Sequence, residues 1–376
     1  MLATVGCRGY RAFREPTSLH MSRLTVIFGK NNSGKTTLTR LPLFIRSALS
    51  DPNFYALSDR ELRYGSSFRD MANLSDPHPA IGYWIITEEG HQWAVDLQSV
   101  SRELEEVIQV SRIAFDGEET TFPLNAAPDT NPRPNLVAEI MGSTPPGPPE
   151  ALQRVRESLA NSLHVPSARP HVLPVYEARP PTGPNVDEAP FWLFSYPELA
   201  VDVSKWLTTM FDGMNLEVER SDYGFRIVTG NPGSQVNFAA TGRGSQSLLP
   251  VVTLLKAVTR GLIETNLVVV EEPEAHLHPS AHGAMAELLA EASKHTQVLT
   301  ETHSENFILR LRRKVAQGEM LPDAIRLNYV DDNQEVVHIT VDETGSVDDW
   351  PSGLFEYDVE EARAIVEARL RNLPRQ

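Results

Sequence analysis

Residues 24–36 decide the fold, and they read Leu-Thr-Val-Ile-Phe-Gly-Lys-Asn-Asn-Ser-Gly-Lys-Thr. The first five residues form a short, mostly apolar segment typical of a buried strand, and apolar residues at helical spacing follow the last one. Gly29 to Thr36 matches the pattern G-x-x-x-x-G-K-[ST] in the context of strand, loop and helix that the pattern requires. The stretch therefore predicts a loop that cradles phosphates.

Each position of such a loop has a chemical reason. Glycines let backbone N–H groups wrap the phosphates at a helix N-terminus, the lysine reaches the β and γ oxygens, and the hydroxyl ligates Mg²⁺. We expect ATP and Mg²⁺ as cofactors, with Lys35 serving catalysis and Thr36 the metal. Nucleotide contacts are predicted for Gly29, Asn31, Asn32, Ser33, Gly34, Lys35, Thr36 and Thr37. Pro42 is expected to kink or shorten the helix that follows.

Two adjacent carboxylates end a second apolar run. Leu267-Val-Val-Val270 is followed by Glu271 and Glu272, so a buried strand delivers both acids to the carboxyl edge of the sheet, where α/β folds bind ligands. Because side chains alternate along a strand, we predict that Glu271 addresses the Mg²⁺ shell, usually through water. Glu272 is then predicted to face the attacking water as the general base.

Two further segments carry candidate nucleotide contacts. A third apolar strand ends at Thr300-Glu-Thr-His-Ser304, from which His303 is predicted to sense or stabilise the transferring γ-phosphoryl group. A glycine-rich turn precedes the apolar helix 248–258, and its free N–H groups predict a second anion site. We expect this turn to reach ATP bound by another subunit, the alternative being a plain helix cap; its residues are Gly242, Arg243, Gly244, Ser245 and Gln246.

The pattern along the chain predicts an α/β fold with a mixed, mostly parallel core sheet. Residues 80–115 indicate an N-terminal antiparallel β portion, with a helix from about Arg102 to Val110. The Pro-rich middle predicts an inserted lid with a helix near Ala151 to Leu163. The predicted division is 1–115 and 236–345 for the two parts of the ATPase domain, 116–235 for the insertion and 346–376 for a C-terminal module.

Composition limits the classes of partner. The formal net charge of −16 argues against a broad DNA-coating surface, although Arg310, Arg312, Arg313 and Lys314 form a local basic patch that is either a nucleic-acid contact or a solvated helix face. The single cysteine, Cys7, excludes an internal disulfide and a cysteine-based zinc site. With no long apolar run, we expect a cytoplasmic protein without a membrane partner.

The order of these strings resembles the ATPases of the ABC superfamily that are related to the overcoming-lysogenization-defect (OLD) proteins and, more distantly, to Rad50 and SMC heads. Glu271-Glu-Pro-Glu-Ala-His-Leu-His-Pro is similar to the family's Walker B motif and D-loop, and Glu301-Thr-His-Ser is similar to its switch-histidine motif. Asp348-Asp-Trp-Pro-Ser-Gly-Leu-Phe resembles the end of a prokaryotic subgroup with an uncharacterised C-terminal module. In contrast, Gly242-Arg-Gly-Ser-Gln stands where transporters have Leu-Ser-Gly-Gly-Gln, and no Q-loop glutamine is assigned. We expect no Toprim nuclease domain, and Asp331-Asp332 is expected to form a hairpin turn.

This resemblance implies an ATPase that forms a homodimer or higher oligomer through its ATP sites. It also implies that dimerisation controls a nucleic-acid machine or a separate effector protein such as a nuclease, in prokaryotic antiviral defence or DNA repair. Two alternatives remain: a nucleotide-gated binding module that hydrolyses ATP slowly or not at all, and the energising subunit of a membrane transporter.

Overall fold

The computed structural model describes residues 1–50, 56–58, 62–75, 79–102, 105–121, 150–211, 214–222, 224–231, 233–348 and 350–351. Its centre is a six-stranded sheet in the order β15-β14-β3-β13-β12-β8. Five of these strands are parallel, and only β15 runs antiparallel. The strands are β3 (Leu24–Gly29), β8 (Leu163–Val165), β12 (Leu267–Glu271), β13 (Gln297–Thr302), β14 (Ile325–Val330) and β15 (Val336–Ile339). The predicted mixed, mostly parallel sheet is confirmed.

Both faces of this sheet are buried, as parallel strands require. Alternate residues of β12 enter different hydrophobic clusters: Val268 and Val270 join one, whereas Leu267 and Val269 join the other. The second cluster includes the apolar residues of helix α1 (Lys35–Ala48). The side chains at 267, 269 and 271 therefore point toward α1, and the same alternation assigns Leu299 and Glu301 of β13 to that face.

Helix α1 begins directly at the phosphate loop and runs without a break through Pro42 to Ala48. The prediction that Pro42 shortens this helix is therefore wrong. The described chain has six other α-helices: α2 (Glu150–Leu159), α3 (Ala189–Ser195), α4 (Pro197–Met210), α5 (Arg243–Thr259), α6 (Pro279–Ala292) and α7 (Glu305–Ala316). The described helices lack the length and apolar character needed to cross a membrane.

A second, fully antiparallel sheet covers α1. Its order is β2-β1-β4-β5-β6-β7, from β1 (Leu2–Arg8), β2 (Thr17–His20), β4 (Ala80–Thr87), β5 (Gln92–Arg102), β6 (Glu105–Phe115) and β7 (Glu118–Thr121). The Gln297 side chain joins the two sheets, because its amide accepts from Leu2 N and donates to Leu2 O. The antiparallel β portion predicted near the N-terminus is confirmed.

The predicted helix from Arg102 to Val110 is wrong. This segment instead continues a long hairpin, in which Leu97 pairs with Val110 and Arg102 pairs with Glu105. Apolar spacing over so short a run fits both a helix and a strand, and pairing with β5 selects the strand.

The range 116–235 is not a simple insertion, because its strand β8 is the edge strand of the core sheet beside β12. Three residues between two Pro-containing stretches carry no strand periodicity, so the sequence did not indicate this strand. The same range holds α2 to α4, and its end enters a small sheet of β9 (Glu217–Ser221), β10 (Gly224–Thr229) and β11 (Val236–Asn237).

Substitution of Phe44 tests how tightly α1 packs between the two sheets. Its ring centroid lies 5.2 Å from that of Tyr10 and 5.3 Å from those of Tyr64 and Tyr83. We expect Phe44→Ala to lower the free energy of unfolding by about 3–5 kcal/mol, measured by urea denaturation, because the cavity cannot close. Val201→Ala, on an exposed face of α4, is the control and should cost under about 1 kcal/mol. Equal losses in the two variants would contradict this packing.

Candidate functional site

The phosphate loop has the backbone that its glycines predict. Gly29 and Gly34 have φ angles of 147° and 100°, which side chains disfavour. A Cβ at Gly29 would lie 2.3 Å from the Val330 carbonyl oxygen, and one at Gly34 would lie 2.7 Å from the Phe13 ring. Because Gly34 caps α1 without a side-chain hydrogen bond, the first N–H groups of the helix stay open to a ligand.

Within this loop the side chains differ in exposure. Asn31 and Asn32 are exposed, Thr37 and Ser33 are buried, and Lys30 forms an exposed ion pair of 2.7 Å with Asp332. Ser33 Oγ is one of the buried polar atoms of the described chain that lack a hydrogen-bond partner. The loop therefore presents its backbone and two amide side chains outward, while Ser33 faces the protein.

Lys35, Glu272 and His303 meet at the carboxyl edge of the core sheet. Burial lowers the pKa of Lys35, while the charges of Glu301 and Glu272 act in the opposite direction. Burial and the charge of Lys35 also lower the pKa of His303, so its imidazole is neutral at neutral pH. Glu272 has a left-handed backbone with φ of 40°, a conformation that is uncommon outside glycine and concentrates at functional sites. These three predicted residues are brought together.

The carboxylate of Glu271 is bonded to protein side chains, although the sequence predicts that it addresses the Mg²⁺ shell. Its side chain is fully buried, and Arg40 of α1 binds it with two hydrogen bonds of 2.5 and 2.7 Å. His164 Nε2, from β8, lies 2.8 Å from the same carboxylate. Burial alone would raise the pKa of Glu271, but the hydrogen bonds from Arg40 and His164 lower it to about 2. Its predicted contact with the Mg²⁺ shell stays a prediction.

The carboxylate nearest the Thr36 hydroxyl belongs to Glu301. Thr36 Oγ1 donates to Glu301 Oε1 over 2.9 Å, and Thr39 Oγ1 donates to Oε2 over 3.1 Å. Burial and the negative charge of Glu271 raise the pKa of Glu301 to about 7, although the two threonine hydrogen bonds act in the opposite direction. Two glutamates in register on adjacent strands thus have opposite pKa shifts, because only one is paired with an arginine.

The glycine-rich turn at 242–246 begins helix α5. Gly242 is exposed and caps the helix without a side-chain hydrogen bond, and Gly244 and Ser245 are partly exposed beside it. Gln246 is buried, and its amide hydrogen-bonds to Val172 N and to the carbonyl oxygens of Ala239 and Thr241. Gln246 therefore holds the turn, whereas the first residues of the helix remain open to an anion.

Arg243 and Arg169 connect this turn to the Walker B segment. Arg243 Nη2 donates to the Arg169 carbonyl oxygen over 2.8 Å. The buried Arg169 guanidinium in turn donates to the carbonyl oxygens of Glu271 and Glu272, both over 2.8 Å. Burial lowers the pKa of Arg169 to about 10. Arg169 follows β8, so the start of α5 and the turn after β12 are held to the same loop.

The basic patch on α7 is largely neutralised. Arg310 pairs with Glu287 over 2.6 Å, Lys314 pairs with Glu319 over 2.6 Å, and Arg312 donates to the Gly345 carbonyl oxygen. These contacts favour the solvated helix face over a nucleic-acid contact. The predicted C-terminal module lies mostly outside the described residues; Trp350, which is described, stacks on Phe28 with centroids 5.7 Å apart.

Four residues of the site were missed from the sequence: Arg40, His164, Arg169 and Glu301. Glu301 could have been found, because it lies near the end of a buried strand, two residues before His303, and on the same face as Leu299. The other three depend on the position of β8 and on the rotation of α1 over the sheet, which no local pattern encodes.

Comparisons with known proteins agree with this geometry. Residues 197–308 match the AAA ATPase domain family, a segment that contains the start of α5, the Glu271–Glu272 pair and His303. No curated protein matches the chain. An SMC head bound to the C-winged helix domain of ScpA is 13% identical with a TM-score of 0.53, over 91% of this chain and 98% of that one.

A second solved structure has the same architecture. An SMC head domain from Pyrococcus furiosus, with an extended coiled coil and bound to the C-terminal domain of ScpA, is 12% identical with a TM-score of 0.50, over 99% of each chain. The fold is that of an SMC-type P-loop ATPase head. The matched AAA ATPase segment and the P-loop ATPase fold support an ATP-binding ATPase.

The residues present fit a nucleotide with Mg²⁺. Thr36 and Glu301 offer a hydroxyl and a carboxylate 2.9 Å apart, and Mg²⁺ prefers such oxygen donors. The open N–H groups of loop 29–36 and the Lys35 ammonium suit the phosphates. The described residues contain no cluster of three or more His, Cys, Asp or Glu side chains suited to a metal. A metal here would therefore share its ligands with the nucleotide and water.

We expect a large coupling energy between Arg40 and Glu271 in the free energy of unfolding. We expect Arg40→Met to lower the free energy of unfolding by about 3–5 kcal/mol, because it leaves the buried Glu271 carboxylate without its cation. Adding Glu271→Met should recover part of that loss, giving a favourable coupling energy in a double-mutant cycle measured by urea denaturation.

Arg154→Met is the matched control for this cycle. Arg154 forms only surface ion pairs, so its loss should cost under about 1 kcal/mol. Additive costs for Arg40→Met and Glu271→Met would show that the two side chains do not depend on each other.

Proposed function

We propose that this chain binds ATP with Mg²⁺ on the loop 29–36 and hydrolyses it between two copies of itself. The observation that carries the proposal is the convergence of Lys35, Glu272 and His303 at the carboxyl edge of the parallel sheet, beside open N–H groups. Each residue suits one requirement of phosphoryl transfer to water: a cation for the phosphate oxygens, a base for the water, and a sensor of the transferring group.

In the proposed reaction, water attacks the γ-phosphorus, the bond from that phosphorus to the bridging oxygen of the β-phosphate breaks, and ADP and inorganic phosphate leave. Glu272 accepts the proton of the attacking water, since it directly follows β12 and is only partly buried. Lys35 stabilises the negative charge on the β and γ oxygens. Neutral His303 contributes a hydrogen bond to the γ-phosphate. Bound Mg²⁺ would neutralise charge on the phosphate oxygens.

The proposal of a second copy rests on the turn 242–245, a candidate anion site in addition to the loop 29–36. Its helix N-terminus carries free N–H groups, and one P-loop already serves the nucleotide of its own chain. We assign the turn to the nucleotide of the partner. ATP-driven dimerisation would then control an effector or a nucleic-acid machine; its setting in prokaryotic antiviral defence or DNA repair rests on the sequence resemblance alone.

Two variants test nucleotide binding and turnover. We expect Lys35→Ala to weaken ATP binding by roughly tenfold or more, because it removes a buried cation beside the phosphates. Glu272→Gln should bind ATP normally and lose on the order of a hundredfold or more in turnover, because an amide cannot accept the proton. Binding is measured with a fluorescent ATP analogue and turnover by phosphate release, both with Mg²⁺.

Lys30→Ala is the matched control, since Lys30 lies on the same loop but is exposed and pairs with Asp332. It should stay close to wild type in both assays. If Lys35→Ala and Lys30→Ala behave alike, the loop does not bind phosphate as proposed. If wild type binds ATP through Lys35 but releases no phosphate, the chain is instead a nucleotide-gated binding module.

Mixing two inactive variants tests the composite site. Lys35→Ala removes the phosphate contact in its own chain, whereas Ser245→Glu places a carboxylate where the partner's phosphate would bind. Neither variant should hydrolyse ATP or dimerise with it. Their equal mixture should recover up to roughly half of wild-type turnover if the sites act independently, because only the heterodimer forms and it has one intact site of two. ATP-dependent heterodimers should appear by mass measurement, and their absence would argue against the composite site.

A further inference from the structure

Two glutamates, the last residue of β12 and the second-to-last residue of β13, differ in their hydrogen-bond partners. Glu271 and Glu301 are paired in register on adjacent parallel strands, and both point toward α1. Thr36, Thr39 and Arg40 present one face of α1 to them, because helix positions three and four apart lie on the same side. Thr36 and Arg40 bond different carboxylates. The Thr36 hydroxyl donates to Glu301, and the Arg40 guanidinium donates to Glu271.

The hydrogen-bonding capacity of Glu271 is already used. Oε1 accepts from Arg40 Nε and faces His164 Nε2, while Oε2 accepts from Arg40 Nη2 and from Ser167 N over 3.3 Å. For Glu271 to turn to a metal, Arg40 would lose its two charge-assisted hydrogen bonds and His164 would lose its carboxylate. Such bidentate pairs are among the strongest polar contacts in proteins.

Glu301 is in the opposite position. Its two oxygens accept only from neutral hydroxyls, those of Thr36 and Thr39, and it forms no ion pair within the described chain. It is nearly fully buried, at 1% exposure. Lys35 and Arg40 interact electrostatically with Glu301, but neither forms an ion pair with it. A buried carboxylate that is not paired with a cation is costly, whereas a divalent ion next to it would be favoured. It also lies within hydrogen-bonding distance of Thr36, the residue of the loop pattern that serves Mg²⁺.

We propose that Glu301, and not Glu271, is the carboxylate that serves the Mg²⁺ of bound ATP together with Thr36, while Glu271 anchors Arg40 and His164. This inference rests on the proposed ATP site. It reassigns the acidic metal partner from the Walker B strand to the neighbouring strand that ends in the switch histidine. The metal site and His303 would then share one strand end, so occupancy of the metal can position the residue that contacts the γ-phosphate.

The dependence of nucleotide binding on Mg²⁺ tests this assignment without any turnover. A fluorescent non-hydrolysable ATP analogue is titrated with Mg²⁺ on the full chain of wild type, Glu301→Gln and Glu271→Gln. The amide oxygen of Glu301→Gln can still accept from Thr36, and its NH₂ group can donate to the Thr39 hydroxyl, which itself donates to the Lys35 carbonyl oxygen. The size of the side chain is thus kept while its charge is lost. We expect it to raise the Mg²⁺ concentration for half-maximal binding by about tenfold or more, and Glu271→Gln by less than about threefold.

Binding in EDTA separates metal from nucleotide effects. Glu301→Gln should bind the analogue there at least as well as wild type does, because a negative charge near the phosphates has gone. A larger Mg²⁺ shift for Glu271→Gln than for Glu301→Gln would overturn the assignment, as would shifts of equal size. If wild type itself shows no Mg²⁺-dependent binding, the proposed ATP site fails instead.

Substitution of Glu301 by cysteine provides a second test that does not need the Glu271→Gln protein to fold. Cysteine thiolate prefers Cd²⁺ over Mg²⁺, so Glu301→Cys should make analogue binding respond to Cd²⁺ at concentrations at least about tenfold lower than Mg²⁺. The single natural cysteine, Cys7, is fully buried and does not compete. Wild type is the control for the intrinsic preference of the site. An unchanged ratio of Cd²⁺ to Mg²⁺ response in Glu301→Cys would overturn the proposal.

Discussion

The site depends on two carboxylates, those of Glu271 and Glu301, which lie side by side on adjacent strands under the first turns of α1. Two carboxylates in register on neighbouring buried strands repel each other, so both cannot be ionised there without a compensating cation. Arg40 compensates Glu271 and holds the pKa of that acid near 2, while Glu301 remains unpaired with a pKa near 7. At the same level of the sheet, the Glu271 carboxylate is thus paired with an arginine, whereas the Glu301 carboxylate could still pair with a cation.

The same pairing fixes the elements around the nucleotide loop. Arg40 pairs with Glu271 of β12, and α1 begins at the loop itself, so this ion pair connects the loop to the Walker B strand. On the other side, Arg169 binds the carbonyl oxygens of Glu271 and Glu272, and Arg243 binds the backbone of Arg169. A displacement of the Glu272 backbone would therefore be transmitted through Arg169 to Arg243 at the start of α5. We assign this segment to the nucleotide of a second copy. This linkage gives a physical route between the two halves of a composite site.

Much of this arrangement could be predicted from short stretches of sequence. The phosphate loop, both carboxylate-ending strands and the helix after Gly242 follow from local patterns, because their periodicity and breakers are encoded within a dozen residues. The roles of Glu271 and Gln246 could not be predicted, since their partners Arg40, His164 and Val172 come from distant segments. Strand β8 was missed because a three-residue strand has no periodicity, and β6 was assigned as a helix because its pairing partner, not its sequence, decided its conformation.

Diffraction from crystals of the Glu272→Gln protein grown with ATP and Mn²⁺ would test the central claim most directly, because Mn²⁺ takes the oxygen ligands of Mg²⁺ and scatters anomalously. The account predicts phosphates over residues 29–36, an anomalous peak beside Thr36 and Glu301, and an intact pair between Arg40 and Glu271. A peak beside Glu271 with Arg40 displaced would contradict the assignment of the metal, and nucleotide bound away from the loop would contradict the site as a whole.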